Sequence, residues 1–188
     1  MKKEFTAYDR LVVIDMQHDF IDGSLGSDAA KAILPKVVDT VLGFPGRIIA
    51  TKDTHGWDYL KSTLEGARLP VEHCIIETAG WTMPDALDRA LVGAGDRYRC
   101  VHKHTFGYLA IKDAVVYLTE DNPFNSDKST IYICGLCTDI CVVSNALILR
   151  AAFPDTRIVC LQDLCACTSP MAHDAALKVM ASCQIDVE

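Results

Sequence analysis

This sequence has no run approaching the ~18–20 uninterrupted apolar residues that a helical membrane span requires. Its opening, MKKEFTAYDR, turns polar where a secretory signal would turn apolar. Both absences point to a chain kept in the cytoplasm with its thiols reduced. A repeat at a solenoid period, a low-complexity tract and a Gly/Ser linker are also missing, so nothing invites a domain boundary and residues 1–188 read as a single domain. Positive charge is short: 18 Lys and Arg against 25 Asp and Glu leave a formal charge of −7. Such a surface repels phosphate backbones, which disfavours nucleic acid and anionic membranes as partners and leaves a small molecule or another protein. The cysteine count is nine, not the even number expected of a disulfide framework.

What is present is an ordinary globular balance, 50% apolar and 23% charged residues. Short apolar runs alternate with helical patterns. Leu11 to Ile14, Ile48 to Ala50, Tyr98 to Val101, Ile131 to Cys134 and Ile158 to Leu161 are continuous rather than alternating, which predicts strands buried on both faces. Between and after them, helical patterns cover Ala29 to Leu42, Pro84 to Val92, Leu109 to Leu118, Thr138 to Ala151 and Pro170 to Met180. Pro35 is expected in a first helical turn, and Ile140, Val143, Leu147 and Ala151 form an expected core-facing stripe. This alternation predicts an α/β fold with a mostly parallel sheet covered by helices on both faces. Thr54 to Met83 is the least regular segment and reads as a long functional loop.

In open α/β sheets, ligands bind beyond the carboxyl ends of the strands. Asp15 follows the first run, Asp53 and His55 the second and Lys103 the third, while Cys141 lies in the first helical turn after the fourth. Thr138, after the Gly135-Leu136-Cys137 turn, is the expected N-cap, which would set Cys141 at the third helical position. Helix amides and a lysine ammonium there would lower the thiol pKa and yield a nucleophile at neutral pH, with Asp15 as proton shuttle. Asp53, His55 and His73 offer one carboxylate and two imidazoles, a donor set suited to an open zinc or iron site. A rival reading assigns Cys134, Cys137, Cys141, Cys160, Cys165 and Cys167 to a structural zinc or an iron–sulfur cluster, although their spacing does not match a paired C-x-x-C ribbon. His18, His102, His104 and His173 read as surface or structural residues, and Trp81, Phe106 and Phe124 as pocket or core aromatics.

LVVIDMQHDF (11–20), TKDTH (51–55), LPVEHC (69–74), HKHTFG (102–107) and GLCTDICV (135–142) together resemble the isochorismatase-like cysteine hydrolases, particularly their nicotinamidase branch. The similarity runs in order from about residue 10 to residue 185. The resemblance implies a Rossmann-like three-layer sandwich around a mostly parallel six-stranded sheet, and a catalytic triad of Asp15, Lys103 and Cys141. It also implies a cis peptide at Leu136–Cys137, an oxyanion hole of the Cys137 and Cys141 amides, and a substrate-facing ring at Phe20. A divalent metal (zinc, manganese or iron) at Asp53, His55 and His73 is implied as well, with no organic cofactor. The expected activity is hydrolysis of a small primary amide such as nicotinamide to acid and ammonia through a thioester, by a homo-oligomer. Two departures stand out. The W-P-x-H segment common in the branch is here Leu69-Pro70-Val71-Glu72-His73, without the tryptophan and with an added residue, and Cys137 stands where alanine is more usual. The alternatives are a metal-independent hydrolase of another small amide, ureide or enol ether, in which Asp53 and His55 are turn residues, and a non-catalytic binding protein on the same fold.

Overall fold

The computed structural model describes residues 4–116, 124 and 127–188. Strand β1 (Arg10–Ile14) is buried along its whole length, as its unbroken apolar run requires. After the short helix α1 (His18–Ile21), Ser27 caps α2 (Asp28–Gly43) by accepting a hydrogen bond from the Ala30 amide. Pro35 lies inside α2 rather than in its first turn. Strand β2 (Arg47–Asp53) follows. The 54–83 segment then contains two short helices, α3 (Tyr59–Ser62) and α4 (Leu64–Arg68), and a single 3-10 turn at Ala79–Trp81. It is therefore more structured than its sequence suggests. Next come α5 (Asp85–Gly93), β3 (Tyr98–Lys103), α6 (Ile111–Val116) and β4 (Thr130–Leu136). The predicted extension of α6 to Leu118 lies outside the described residues. The chain closes with α7 (Val143–Ala152), β5 (Arg157–Ala166), α8 (Pro170–Ser182) and β6 (Asp186–Val187).

All six strands are parallel, in the order β3-β2-β1-β4-β5-β6. Helices cover both faces: α2 packs on α5 on one side, while α7 packs on α6 and α8 on the other. Strand order reverses at β1, whose neighbours are β2 and β4, so the chain leaves β1 and β4 in opposite directions and opens a crevice above their carboxyl ends. Asp15 and the turn after β4 sit at that crevice.

That turn departs from the simple helix start. Thr138–Val142 forms one π-helical turn before α7, with Cys137 in the flanking position. Thr138 does not cap it; the Thr138 hydroxyl instead lies 2.9 Å from His173 Nδ1 on α8. The expected stripe is displaced as well. Ile140 and Ala151 are exposed, and Val143 and Leu147 are only half-buried, whereas Thr138, Cys141, Val142, Asn145, Ala146 and Leu149 face the core. Both sets recur at helical spacing in a segment that is apolar almost all round, so periodicity alone selected the wrong face.

Candidate active site and metal group

Asp15 follows β1 with φ at 47°, in the left-handed region, and its side chain is fully buried. Thr51 of the neighbouring β2 donates its hydroxyl to Asp15 Oδ1 at 2.6 Å. Lys103, the last residue of β3, brings its ammonium 2.7 Å from Asp15 Oδ2, 3.3 Å from Asp53 Oδ1 and 3.5 Å from Cys141 Sγ. Three strand ends and the turn after a fourth thus bring one ammonium, two carboxylates and a thiol into contact. Burial pushes the Asp15 carboxyl up and Asp53 adds to the effect, against the pull of Lys103. Burial alone would lower Lys103, but Asp15, Cys141 and Asp53 outweigh it and hold the ammonium charged.

Cys141 does not follow the low-pKa expectation. Burial, then the Asp15 charge, push its thiol well above the ordinary value, and Lys103 offsets this only in part. Burial therefore favours the neutral form of the thiol, beside the Asp15–Lys103 ion pair. The Leu136–Cys137 peptide is cis. Gly135, with φ at 119°, lets β4 pass β1 closely, because a Cβ there would run into the Ile14 carbonyl. The Ile140 and Val142 amides both bond the Cys137 carbonyl at 3.1 Å.

Asn145, which the sequence reading did not single out, ties this turn to its surroundings. Its buried amide donates to the Cys141 carbonyl (2.8 Å) and the Phe106 carbonyl (3.0 Å), and accepts from the Tyr108 amide (2.9 Å). An asparagine inside an apolar helical segment was the available signal, since a buried amide needs partners. Gln17 does the same at the other end of the site. Its side chain donates to the Asp53 carbonyl (2.9 Å) and accepts from the Asp53 amide (2.7 Å), fixing Asp53 relative to β1.

Asp53, His55 and His73 also converge, together with Glu65 from α4, which the sequence reading missed. One donor atom from each of the four lies within 4.8 Å of the others. His55 Nε2 is 3.1 Å from Asp53 Oδ2, while Glu65 Oε1 is 3.8 Å from both His55 Nε2 and His73 Nε2. His73 Nδ1 donates to the Val71 carbonyl at 2.8 Å, so a neutral ring presents its Nε2 lone pair to the cluster. Tyr59 packs against both rings, with centroids 4.3 Å and 5.1 Å away. Two imidazoles and two carboxylates, three of them buried, form a possible metal-binding group whose donors suit zinc, iron or manganese.

One cavity of about 290 Å³ is lined by Cys137 and Cys141 and by Asp53, Glu65 and His73 of this group. Phe20 and Phe106 line it as well. Trp81 lies elsewhere: its ring stacks on the Lys52 ammonium (3.2 Å) and its Nε1 donates to Thr54 (2.9 Å). Phe124 packs against Phe153 at 5.0 Å. The cysteine-cluster reading fails among the described residues, where Asp53, His55, Glu65 and His73 are the one metal-type group. Cys160 and Cys165 meet at 3.8 Å in the interior of β5, whereas Cys137 and Cys141 face the cavity.

Comparison with known proteins agrees with this architecture. The isochorismatase domain model matches residues 9–188. A nicotinamidase of Schizosaccharomyces pombe is 26% identical over 212 residues, covering 94% of this chain and 91% of the relative. The solved nicotinamidase/pyrazinamidase of Bacillus subtilis superposes with a TM-score of 0.78 at 24% identity, over 95% of this chain and 98% of that one. The pyrazinamidase of Pyrococcus horikoshii, solved in complex with zinc, gives 0.77 at 23% identity over 96% and 98%. At these identities the structural likeness is one of fold.

Proposed function

The chain belongs to the isochorismatase family of hydrolases, and on that footing we propose that it is a cysteine-dependent amidase of the nicotinamidase kind. Its substrate is a small primary amide, nicotinamide or a ring of similar size, which it converts to the acid and ammonia. The observation that carries this reading is the shared cavity: it is lined by a thiol in contact with the ammonium of the Asp15–Lys103 ion pair and by three residues of a four-residue metal-type group.

The reaction starts from the neutral Cys141 thiol. Asp15 accepts its proton as Sγ attacks the amide carbon, and Lys103 stays charged beside both groups, offsetting the negative charge that would otherwise collect there. The Cys137 and Cys141 amides are the donors assigned to the developing oxyanion. Asp15 then passes its proton to the departing nitrogen, the C–N bond breaks, ammonia leaves and the acyl group remains on Sγ as a thioester. In the second half Asp15 takes a proton from water, hydroxide adds to the thioester, and the departing Sγ recovers the proton from Asp15. The net change is amide plus water to acid plus ammonia, with the enzyme restored.

Asp53, His55, Glu65 and His73 would hold a divalent metal, zinc by the precedent of the archaeal pyrazinamidase, and when bound it supplies a Lewis-acid point for a substrate heteroatom. Phe20, whose ring lies 5.5 Å from that of His73, supplies an aromatic wall for a flat substrate. The test is ammonia release by purified protein from nicotinamide and a panel of other small amides. Release from nicotinamide that disappears in a folded Cys141→Ala variant is the expected result; comparable release from that variant excludes the mechanism.

A further inference from the structure

A second cavity, about 350 Å³, opens beside the first between α4 and the loop after β3. Glu65, Leu69 and Phe106 line both, so the two adjoin across these side chains. Cys141 lines only the first. Together the pair falls within the roughly 300–1,000 Å³ usual for ligand sites.

The chemistry of the outer cavity differs from that of the inner one. Leu64 and Phe106 give it an apolar wall, and both are left substantially exposed to solvent, at 69% and 44%. Arg68, in the last turn of α4, is the one cationic residue lining either cavity. Its guanidinium has no ion-pair or hydrogen-bond partner among the described residues. The negative group nearest to it along the chain, Glu65, turns Oε1 toward His55 and His73 at 3.8 Å each. In a chain of net charge −7, an unpaired arginine fork lining a cavity with apolar walls next to the first is suited to recognising an anion.

We propose that the outer cavity is a subsite for the far end of the substrate, so that the preferred amide carries an apolar extension from its acyl group ending in a carboxylate or phosphate that pairs with Arg68. This rests on the amidase reading and narrows it: Cys141 acts on the carboxamide end, and Leu69 and Phe106 flank the connecting stem. The hydrolysis product then carries two anionic ends, one at each cavity.

The probes are pyridine carboxamides bearing a ring-linked ω-carboxyalkyl chain, the corresponding methyl ester and the ω-aminoalkyl counterpart, with nicotinamide as the small reference. Wild-type protein is expected to favour the carboxylate over the ester in kcat/KM by up to about fivefold, the range for one exposed charge pair. Arg68→Gln removes that preference, and Arg68→Glu reverses it toward the amine. Equal ratios in all three proteins, or turnover of nicotinamide with none of the chain-bearing amides, overturn the subsite while leaving the amidase reading intact. If no amide is hydrolysed, the amidase reading falls, and the subsite is judged by calorimetric binding of the ω-carboxyalkyl pyridine carboxylic acid. Binding weakened in Arg68→Glu supports it; binding that is absent, or equal in wild-type and variant protein, overturns it.

Discussion

At Cys141, burial and opposing charges set how readily the thiol ionises. The Lys103 ammonium favours the thiolate from 3.5 Å away, but burial and the Asp15 carboxylate together outweigh it. The thiol should therefore be sluggish toward an alkylating agent at neutral pH, with reactivity rising through a midpoint above the ordinary 9.0. Asp15→Asn separates the two roles of the carboxylate. Removing its charge leaves the pull of Lys103 opposed by burial and the weaker Asp53 charge, so the alkylation midpoint moves to lower pH. Ammonia release falls by about 10²–10⁴-fold because the proton shuttle is lost. Iodoacetamide kinetics and ammonia assays across pH on the same preparations check both outcomes. Slower alkylation in the variant would refute this account of the charges.

The metal-type group joins elements that are otherwise loosely connected. Asp53 ends β2, Glu65 lies on the five-residue α4 and His73 follows it in a loop, with the His55–Ile75 bridge as the local strand-like link. A metal bound by all four would lock α3 and α4 to the sheet. Purified protein is thus expected to hold a stoichiometric divalent ion. Stripping it should lower stability by about 2.7 kcal/mol relative to protein in free metal at roughly a hundred times Kd. His55→Ala should neither retain the ion nor regain that stability when it is restored. Elemental analysis paired with calorimetry reads both quantities.

The same segment marks the limit of what sequence alone conveys. Four of the five long strands and most helices were legible within a few residues, because unbroken runs such as Leu11 to Ile14 admit few other structures, whereas β5 runs five residues past the expected Leu161 to Ala166. Asp15, Lys103 and Cys141 could be placed at one sheet edge because strand ends in a parallel sheet share an edge. Glu65 could not, since an acidic residue on a short polar helix carries no periodic signal and its role depends on where α4 folds back. The π-helical turn was likewise invisible: one additional residue per turn rotates the face of everything near it, so Ile140 turned outward and Asn145 inward.

Across the whole molecule, the parallel order β3-β2-β1-β4-β5-β6 puts the switch point at β1, with Asp15 at the strand's end and Cys141 after the adjacent β4. No helix among the described residues is long and apolar enough to cross a membrane. The fold buries the Asp15–Lys103 ion pair and the Cys141 thiol beside a cavity that Asp53, Glu65 and His73 of the metal-type group also line. The central claim is that substrate becomes covalently attached to Cys141. The most direct measurement is an acid-quenched single turnover of nicotinamide followed by peptide mass spectrometry. The account predicts a nicotinoyl adduct on the peptide containing Cys141, formed at the rate of ammonia release and lost at the rate of nicotinate release. Full turnover with no acyl adduct at Cys141 at any quench time, and activity retained in Cys141→Ala, would contradict it.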